Sequence, residues 1–216
     1  MRVFVINTDI RVKNFKRFSK KQILLNLSFI IITNHITTNA MKLVTTQLEL
    51  REFSEADLDA LIAYSNPEPM RCYEKGTPDR ESAQRLLERI MQRANETPRT
   101  HYYLAITVPP NDKVIGHISL SSQNSEIREW EIGWAVRHED WGKGYATEAA
   151  RRMIEYAFHQ LNAHRVVAFC HAENTASIKV MQKIGMKQEG LLRQTRWFND
   201  CWADEFVYAI LASDLK

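Results

Sequence analysis

Glycine and cysteine are both scarce in this chain, seven and three among 216 residues, and only six prolines join them. The cysteines, Cys72, Cys170 and Cys201, are odd in number and widely spaced, with no C-x-x-C arrangement. That excludes a disulfide framework and a cysteine zinc site, and points to a reducing, cytoplasmic compartment. His171-Ala172-Glu173 has the H-x-E spacing of zinc deaminases, but the P-C-x-x-C partner is missing. No metal is therefore expected, and His171 reads as a strand-end residue. No apolar run reaches the ~20 residues of a membrane-spanning helix; the run at 23–32, ILLNLSFIII, is half that and is broken by Asn26 and Ser28. A basic stripe is also lacking in the body. Seven of the 29 Lys and Arg, but one of the 26 Asp and Glu, lie in residues 1–40, so residues 41–216 carry 22 basic against 25 acidic side chains. Neither a nucleic-acid nor a membrane partner is expected.

Residues 1–40 contain no Gly, Pro, Glu or Trp, while Ile, Asn, Phe and Lys make up 20 of them. A signal peptide has such a basic lead and apolar run, with Thr38 and Ala40 as small residues before Met41, although the lead-in of about twenty residues is long. A genuine extension adding a strand or helix also fits. The expectation is translated upstream sequence, because those four residue types have A/T-rich codons and Met41 supplies a start. The domain plan is an atypical extension over 1–40 and one domain over 41–216.

The body is regular. Residues 45–53 (TTQLELREF) alternate as a half-buried strand does. Ser54 with Asp57 three residues on forms a helix start ahead of Leu58, Leu61 and Ile62, and this helix ends near Asn66-Pro67. Residues 66–78 hold three prolines and read as a loop. Next, Ala83, Leu86, Leu87, Ile90, Met91 and Ala94 make one apolar helix stripe, with Arg80, Arg85, Arg89 and Arg93 on a solvated face. Strands are predicted at 101–108, 113–122 and 127–136, with a turn at 109–112. A long helix from 145 carries Ala146, Ala149, Ala150, Met153, Ile154, Ala157, Phe158 and Leu161 on one side. A buried strand at 164–171, a helix at 175–184 closed by Gly185, and strands at 187–198 and 202–211 complete the chain. The order β-α-α-β-β-β-α-β-α-β-β predicts a single α/β domain: a mixed, mostly antiparallel sheet of about seven strands with four helices.

Two of the seven glycines sit one residue apart in WGKGYATEAARRMIEYAF, residues 141–158. A P-loop is ruled out because Tyr145 follows Gly144, and a dinucleotide fingerprint because Thr147 occupies the third glycine's place. What remains is a turn without side chains at 142 and 144, opening a long helix. Unpaired N–H groups and the positive end of the helix dipole make such a place a seat for phosphate, to which Lys143 and the Thr147 hydroxyl can add. The competing reading is a tight turn that packs Gly142 and Gly144 under Trp141.

With its surroundings, the stretch resembles the GNAT acetyl-CoA-dependent N-acetyltransferases, and within them the RimJ/RimL-like branch. The pieces are EIGWAV (131–136), WGKGYATEA (141–149), HRVVAFCHAENTASIKVMQKIGM (164–186), EGLLR (189–193) and the W-x-D of Trp202 and Asp204. The resemblance implies an acetyl-CoA site in a V between splayed strands, those at 127–136 and 164–171. It implies that the backbone of Ala135, Val136 and Arg137 bonds the pantetheine arm. Trp141, Gly142, Lys143, Gly144, Tyr145, Ala146 and Thr147 would wrap the pyrophosphate. Asn174 matches the family's Asn that reaches the cofactor arm, and reads equally well as a helix N-cap.

The implied chemistry is direct attack of an amine on a thioester, with no metal and no covalent enzyme intermediate. The ammonium must lose a proton, the carbonyl oxygen needs a donor, and the thiolate benefits from a nearby hydroxyl. Ser177 matches the branch's serine for the thiolate. Where many members carry a tyrosine acid, this chain has Met181, and where some carry a glutamate base it has Arg196; Trp141 replaces the Arg or Gln that opens the wider family's glycine motif. Glu131 is then the candidate base, through water, the alternative being a strand carboxylate paired to an arginine. The acceptor is expected between 66–78 and 197–202. There Glu68, Glu74, Asp200 and Asp204 would hold a cationic amine and Tyr73, Trp197 and Trp202 would pack beside it; each reads otherwise as packing or solvated surface. The resulting expectation is an N-acetyltransferase acting on a small-molecule amine or a protein N-terminus, a ribosomal protein included, with a homodimer compatible with the resemblance. The alternative is a catalytically silent acetyl-CoA-binding or regulatory module.

Overall fold

Alternating apolar and polar residues lay eight strands into one sheet. They are β1 (Lys42–Val44), β2 (Glu49–Glu52), β3 (His101–Val108), β4 (Asn111–Asn124), β5 (Glu129–Val136), β6 (Arg165–His171), β7 (Lys187–Phe198) and β8 (Cys201–Leu211). Among the described residues the helices are α1 (Leu58–Ser65), α2 (Arg80–Ala94), α3 (Tyr145–His159) and α4 (Thr175–Lys183). The computed structural model describes residues 40–65, 79–198 and 200–215. The expectations for residues 1–39 and Asn199, and for the loop 66–78 with Glu68, Tyr73 and Glu74, fall outside the described residues. Among those described, no helix is long and apolar enough to cross a membrane.

The strand expected at 45–53 is confined to β2 at 49–52, and an unexpected strand, β1, precedes it at 42–44. Thr45 closes a turn on Leu48, its N–H donating to the Leu48 carbonyl at 2.9 Å and its hydroxyl oxygen accepting from the Leu48 N–H at 2.9 Å. The chain then reverses, and β1 pairs antiparallel with β2. Similarly, β5 begins at Glu129 rather than at 127, because the Asn124 side-chain oxygen accepts from the N–H of Glu126 at 3.0 Å and ends the preceding strand in a local turn.

The sheet order is β1-β2-β3-β4-β5-β6-β8-β7, and only the β5–β6 neighbours run parallel. On one face, α3 buries Ala149, Ala150, Met153, Ile154, Ala157 and Phe158 in a cluster with Leu104, Ile106, Ile118, Leu120, Ile132 and Val166. On the other, Leu61 and Tyr64 of α1 and Leu87 and Ile90 of α2 cluster with Phe53, Ala105, Val114 and Ala135. Each such Leu, Ile, Val, Met or Phe side chain taken fully out of water contributes about 1.5–3 kcal/mol. The α1 start works as its spacing predicts: buried Asp57 accepts from the Ser54 N–H at 2.8 Å and its hydroxyl at 2.9 Å, and Arg51 grips the same carboxylate at 2.8 and 2.9 Å.

The feature that places the site is the β5–β6 junction. Their register covers only Glu129↔Arg165, Trp130↔Val166 and Glu131↔Val167. Beyond that point β5 stays on β4 as far as Val136, and β6 stays on β8 as far as His171. The two strands therefore splay, as expected, and the inner edges of the V carry backbone groups that water or a ligand must satisfy.

Candidate functional site

From the end of β5 the chain makes one 3-10 turn, His138–Asp140, and enters the glycine loop ahead of α3. Gly142 (φ 77°) and Gly144 (φ 86°) lie in the left-handed region that side chains disfavour. A Cβ built on either glycine meets nothing within 4 Å. Gly144 therefore does not pack under Trp141, and, their own chain neighbours aside, both glycines border open space. Trp141 turns back instead, donating its indole N–H to the Val136 carbonyl at 2.6 Å and standing edge-on to His138 at 4.8 Å. Gly144 gives α3 no side-chain cap, so the amides of Tyr145, Ala146 and Thr147 open the helix beside that space.

Lys143 is not a free cation. Its ammonium donates to Asp140 at 2.7 Å, and the Arg137 guanidinium grips the other oxygen of the same carboxylate. Burial would push the Asp140 carboxyl up, but the bonds and charges of Arg137 and Lys143 outweigh it and hold the group below the ordinary carboxylate range. Nothing in the local spacing announces that this aspartate is buried. Glu148, another residue that sequence reasoning passed over, clamps the β1–β2 turn to α3 by accepting from Gln47 at 2.8 and 2.7 Å.

At the β5 end, the expected backbone contacts divide. The Arg137 N–H donates to Ile115 at 2.8 Å, Trp141 occupies the Val136 carbonyl, and Ala135 lies opposite His117 of β4. Backbone groups alternate sides along a strand, and the carbonyl of Arg128 already turns to the β6 side, toward His164. By that alternation the groups facing the open V are those of Trp134, which sequence reasoning missed, and the Val136 N–H. Gly116 permits this arrangement, since a Cβ there would meet the Ala135 carbonyl oxygen at 2.1 Å.

Glu131 is the last β5 residue paired to β6. It is half-buried and has no cationic partner among the described residues, because Arg165 is engaged by Glu129 and Glu189, each at 2.6 Å. The arginine-paired alternative is thereby set aside. Burial first, then the charges of Glu205 and Glu129, push the Glu131 carboxyl up. Glu205, also missed, accepts from Thr195 at 3.0 Å and pairs with Arg196 at 3.3 Å. Thus Arg196, at the family's alternative base position, holds a neighbouring carboxylate. On the same sheet face, His117 bonds the Tyr64 hydroxyl at 3.2 Å and stacks on Tyr103 at 4.3 Å; burial lowers its pKa to about 3 and keeps it neutral.

At α4, Asn174 accepts from the Ser177 N–H at 3.0 Å, so the N-cap is real. Its side-chain N–H pair finds no acceptor among the described residues. Ser177 is half-buried in the first turn, and Met181, one turn on, is fully buried in the core. On the hairpin, Trp197 and Trp202 are 53% and 58% exposed and meet edge to face at 5.1 Å. Asp200 (φ 58°) forms the turn between them. Asp204 is partly engaged: one carboxylate oxygen accepts from the Gln194 N–H at 2.8 Å.

A sheet opened beside a glycine-bordered helix start, with an unpaired carboxylate where the strands part, is the arrangement that the resemblance to the acetyl-CoA-dependent N-acetyltransferases implies. Residues 47–187 match the acetyltransferase (GNAT) domain family. The chain is 34% identical over 175 residues to the uncharacterized N-acetyltransferase YnaD of Bacillus subtilis, covering 81% of this chain and 99% of that protein. The crystal structure of a GNAT-family acetyltransferase from Bacillus anthracis superposes with a TM-score of 0.71 at 29% identity, over 80% of this chain and 99% of that one. Mycobacterium smegmatis RimJ, solved in complex with CoA-disulfide, shares the fold at a TM-score of 0.69 and 22% identity, over 78% and 83% of the two chains. The chain belongs to the GNAT family and is an acetyl-CoA-dependent N-acetyltransferase.

Proposed function

We propose that the chain acetylates a primary amine, carried by a small molecule or a protein N-terminus, and that Glu131 draws the proton from it. The observation that carries this reading is the state of Glu131. It stands where the V opens, lacks a cation among the described residues, and is pushed above its ordinary pKa by burial and the neighbouring carboxylates, the direction that makes a carboxylate a better proton acceptor.

The residues present fit the donor. Acetyl-CoA supplies an acetyl group activated as a thioester. The open space at Gly142 and Gly144, the first amides of α3, and the net single positive charge of Arg137, Lys143 and Asp140 suit its pyrophosphate. The Trp134 backbone and the Val136 N–H face the V for the pantetheine amides, joined by the side-chain N–H of Asn174. Ser177 offers its hydroxyl to the thiolate from the head of α4. Near the acceptor, Glu131 and Glu205 favour a cation, and exposed Trp197 and Trp202 with Asp200 offer aromatic faces and a charge beside it. A reducing cytoplasm suits this chain.

The test is thiol release from acetyl-CoA with a panel of peptides, ribosomal proteins, polyamines and aminoglycosides. Amine-dependent, saturable release is expected with at least one class, reduced 10²-fold or more in Glu131→Gln while coenzyme A still binds. Saturable coenzyme A binding with no turnover on any acceptor points instead to the silent module.

A further inference from the structure

One side chain joins the two ends of the donor loop. Asp140 is 6% exposed, and its two oxygens hold Arg137, at the end of β5, and Lys143, between the two glycines. Backbone bonds tighten the same segment: Asp140 N–H to the Arg137 carbonyl at 3.0 Å and Trp141 N–H to the His138 carbonyl at 3.1 Å. After Trp141, no comparable backbone anchor restrains residues 142 and 143 among the described residues, and both flanking glycines are residue types that lose the most freedom on ordering. We propose that Asp140 is a positioning residue, a clamp that holds the donor loop in its binding shape before acetyl-CoA arrives. The proposal rests on the reading of residues 141–147 as the pyrophosphate seat.

Charge and positioning give opposite signs here, which makes the proposal sharp. Asp140 sets a negative charge beside an anion seat. If charge were its main contribution, neutralising it would raise the local sum of the three side chains from one positive charge to two, and coenzyme A would bind more tightly. If the clamp dominates, the loss of Asp140 leaves Arg137 and Lys143 repelling one another. Lys143, whose side chain is already 50% exposed, then turns to solvent, and the loop must be ordered anew at each binding event.

The experiment compares wild type with Asp140→Asn and Asp140→Glu, the second keeping the charge while lengthening the side chain by one methylene. Hydrogen exchange of the amides at 142–147 is followed without ligand, and the coenzyme A dissociation constant is measured by calorimetry. The expected result is faster exchange confined to this loop and about tenfold weaker binding in Asp140→Asn. In turnover, the KM for acetyl-CoA should rise far more than kcat falls, a split that general loss of structure does not produce. Should Asp140→Asn fail to fold, Asp140→Glu carries the same test at constant charge, again with weaker binding expected. Unchanged or tighter coenzyme A binding in a folded variant overturns the clamp while leaving the seat intact. A wild-type chain that binds no coenzyme A overturns the seat, and the clamp with it.

Discussion

Gly144 and Gly185 are a matched pair for asking what the donor loop needs. Both sit at nearly the same backbone angle, φ 86° and 87°. An alanine at either place pays about 1–2 kcal/mol for the left-handed conformation, which in a chain of this size lowers Tm by roughly 2–8 °C. Neither variant adds a clash: a Cβ at 144 meets nothing within 4 Å, and one at 185 lies 3.7 Å from Ile210 Cδ1, an ordinary contact. The two differ in what lies beyond the new methyl. At 185 it is the Ile210 side chain, whereas at 144 it is the space assigned to the pyrophosphate. A methyl there holds phosphate oxygens off the α3 amides, removing one or two charge-assisted hydrogen bonds worth about 1.5–3 kcal/mol each, or ten- to a hundredfold and more in affinity. Thermal melts and calorimetric titration with coenzyme A on both variants are the assay. Similar Tm losses are expected, with weakened binding in Gly144→Ala alone. Equal effects on binding, or none in either variant, would refute the assignment of the seat.

Other consequences follow from the charges and the hairpin. Asp57 is held below the ordinary carboxylate range by Arg51 and Ser54 in spite of burial, so its contribution is present above the ordinary pKa and lost as pH falls through the depressed one. Asp57→Asn should lower stability at pH 7 by about 3 kcal/mol, at the low end for a broken buried pair because Arg51 keeps Asp112, with a gap that closes in acid; denaturant melts from pH 7 to 2 read it. Glu131 has the opposite sign. Its folded pKa is raised, so its contribution falls as pH climbs from the ordinary carboxylate value through the folded one. Glu131→Gln should therefore melt no lower than wild type at pH 7 even as turnover collapses; a clear loss of Tm there contradicts the environment described for Glu131. Trp202→Ala should raise the acceptor KM severalfold and leave coenzyme A affinity alone, since the indole is more than half exposed and touches Trp197 rather than the donor loop. A shift in coenzyme A affinity of similar size would move this pair out of the acceptor region.

The elements with strong side-chain periodicity were legible in the sequence. The α3 stripe from Ala149 to Phe158 is buried as its spacing predicts, and the Ser54/Asp57 start and the Gly185 stop lie where their chemistry puts them. Strand β1 was hidden because it is three residues long and Val44 is exposed, so no alternation marks it. The splay is invisible to alternation alone, since Glu131, Gly133 and Ala135 share a face whether or not β6 stays alongside; the family resemblance supplied it. The glycine loop could be read as far as a choice between a seat and a packed turn, and the open space beside both glycines supports the seat proposed above. Lys143 three residues after Asp140 suggests an ion pair to anyone who looks for spacing, yet the burial of Asp140 and its second grip on Arg137 come from the way β5 ends. Glu205 became visible as a partner of Glu131 only when β8 crossed to the far side of β6.

The pH dependence of amine-stimulated thiol release, measured for wild type and Glu131→Gln at saturating acetyl-CoA, tests the role of Glu131 most directly. The wild-type rate should rise with pH through a group that titrates above the ordinary carboxylate range, and Glu131→Gln should lose that limb along with at least 10²-fold of its rate. A Glu131→Gln enzyme that keeps the wild-type rate and profile would contradict the account.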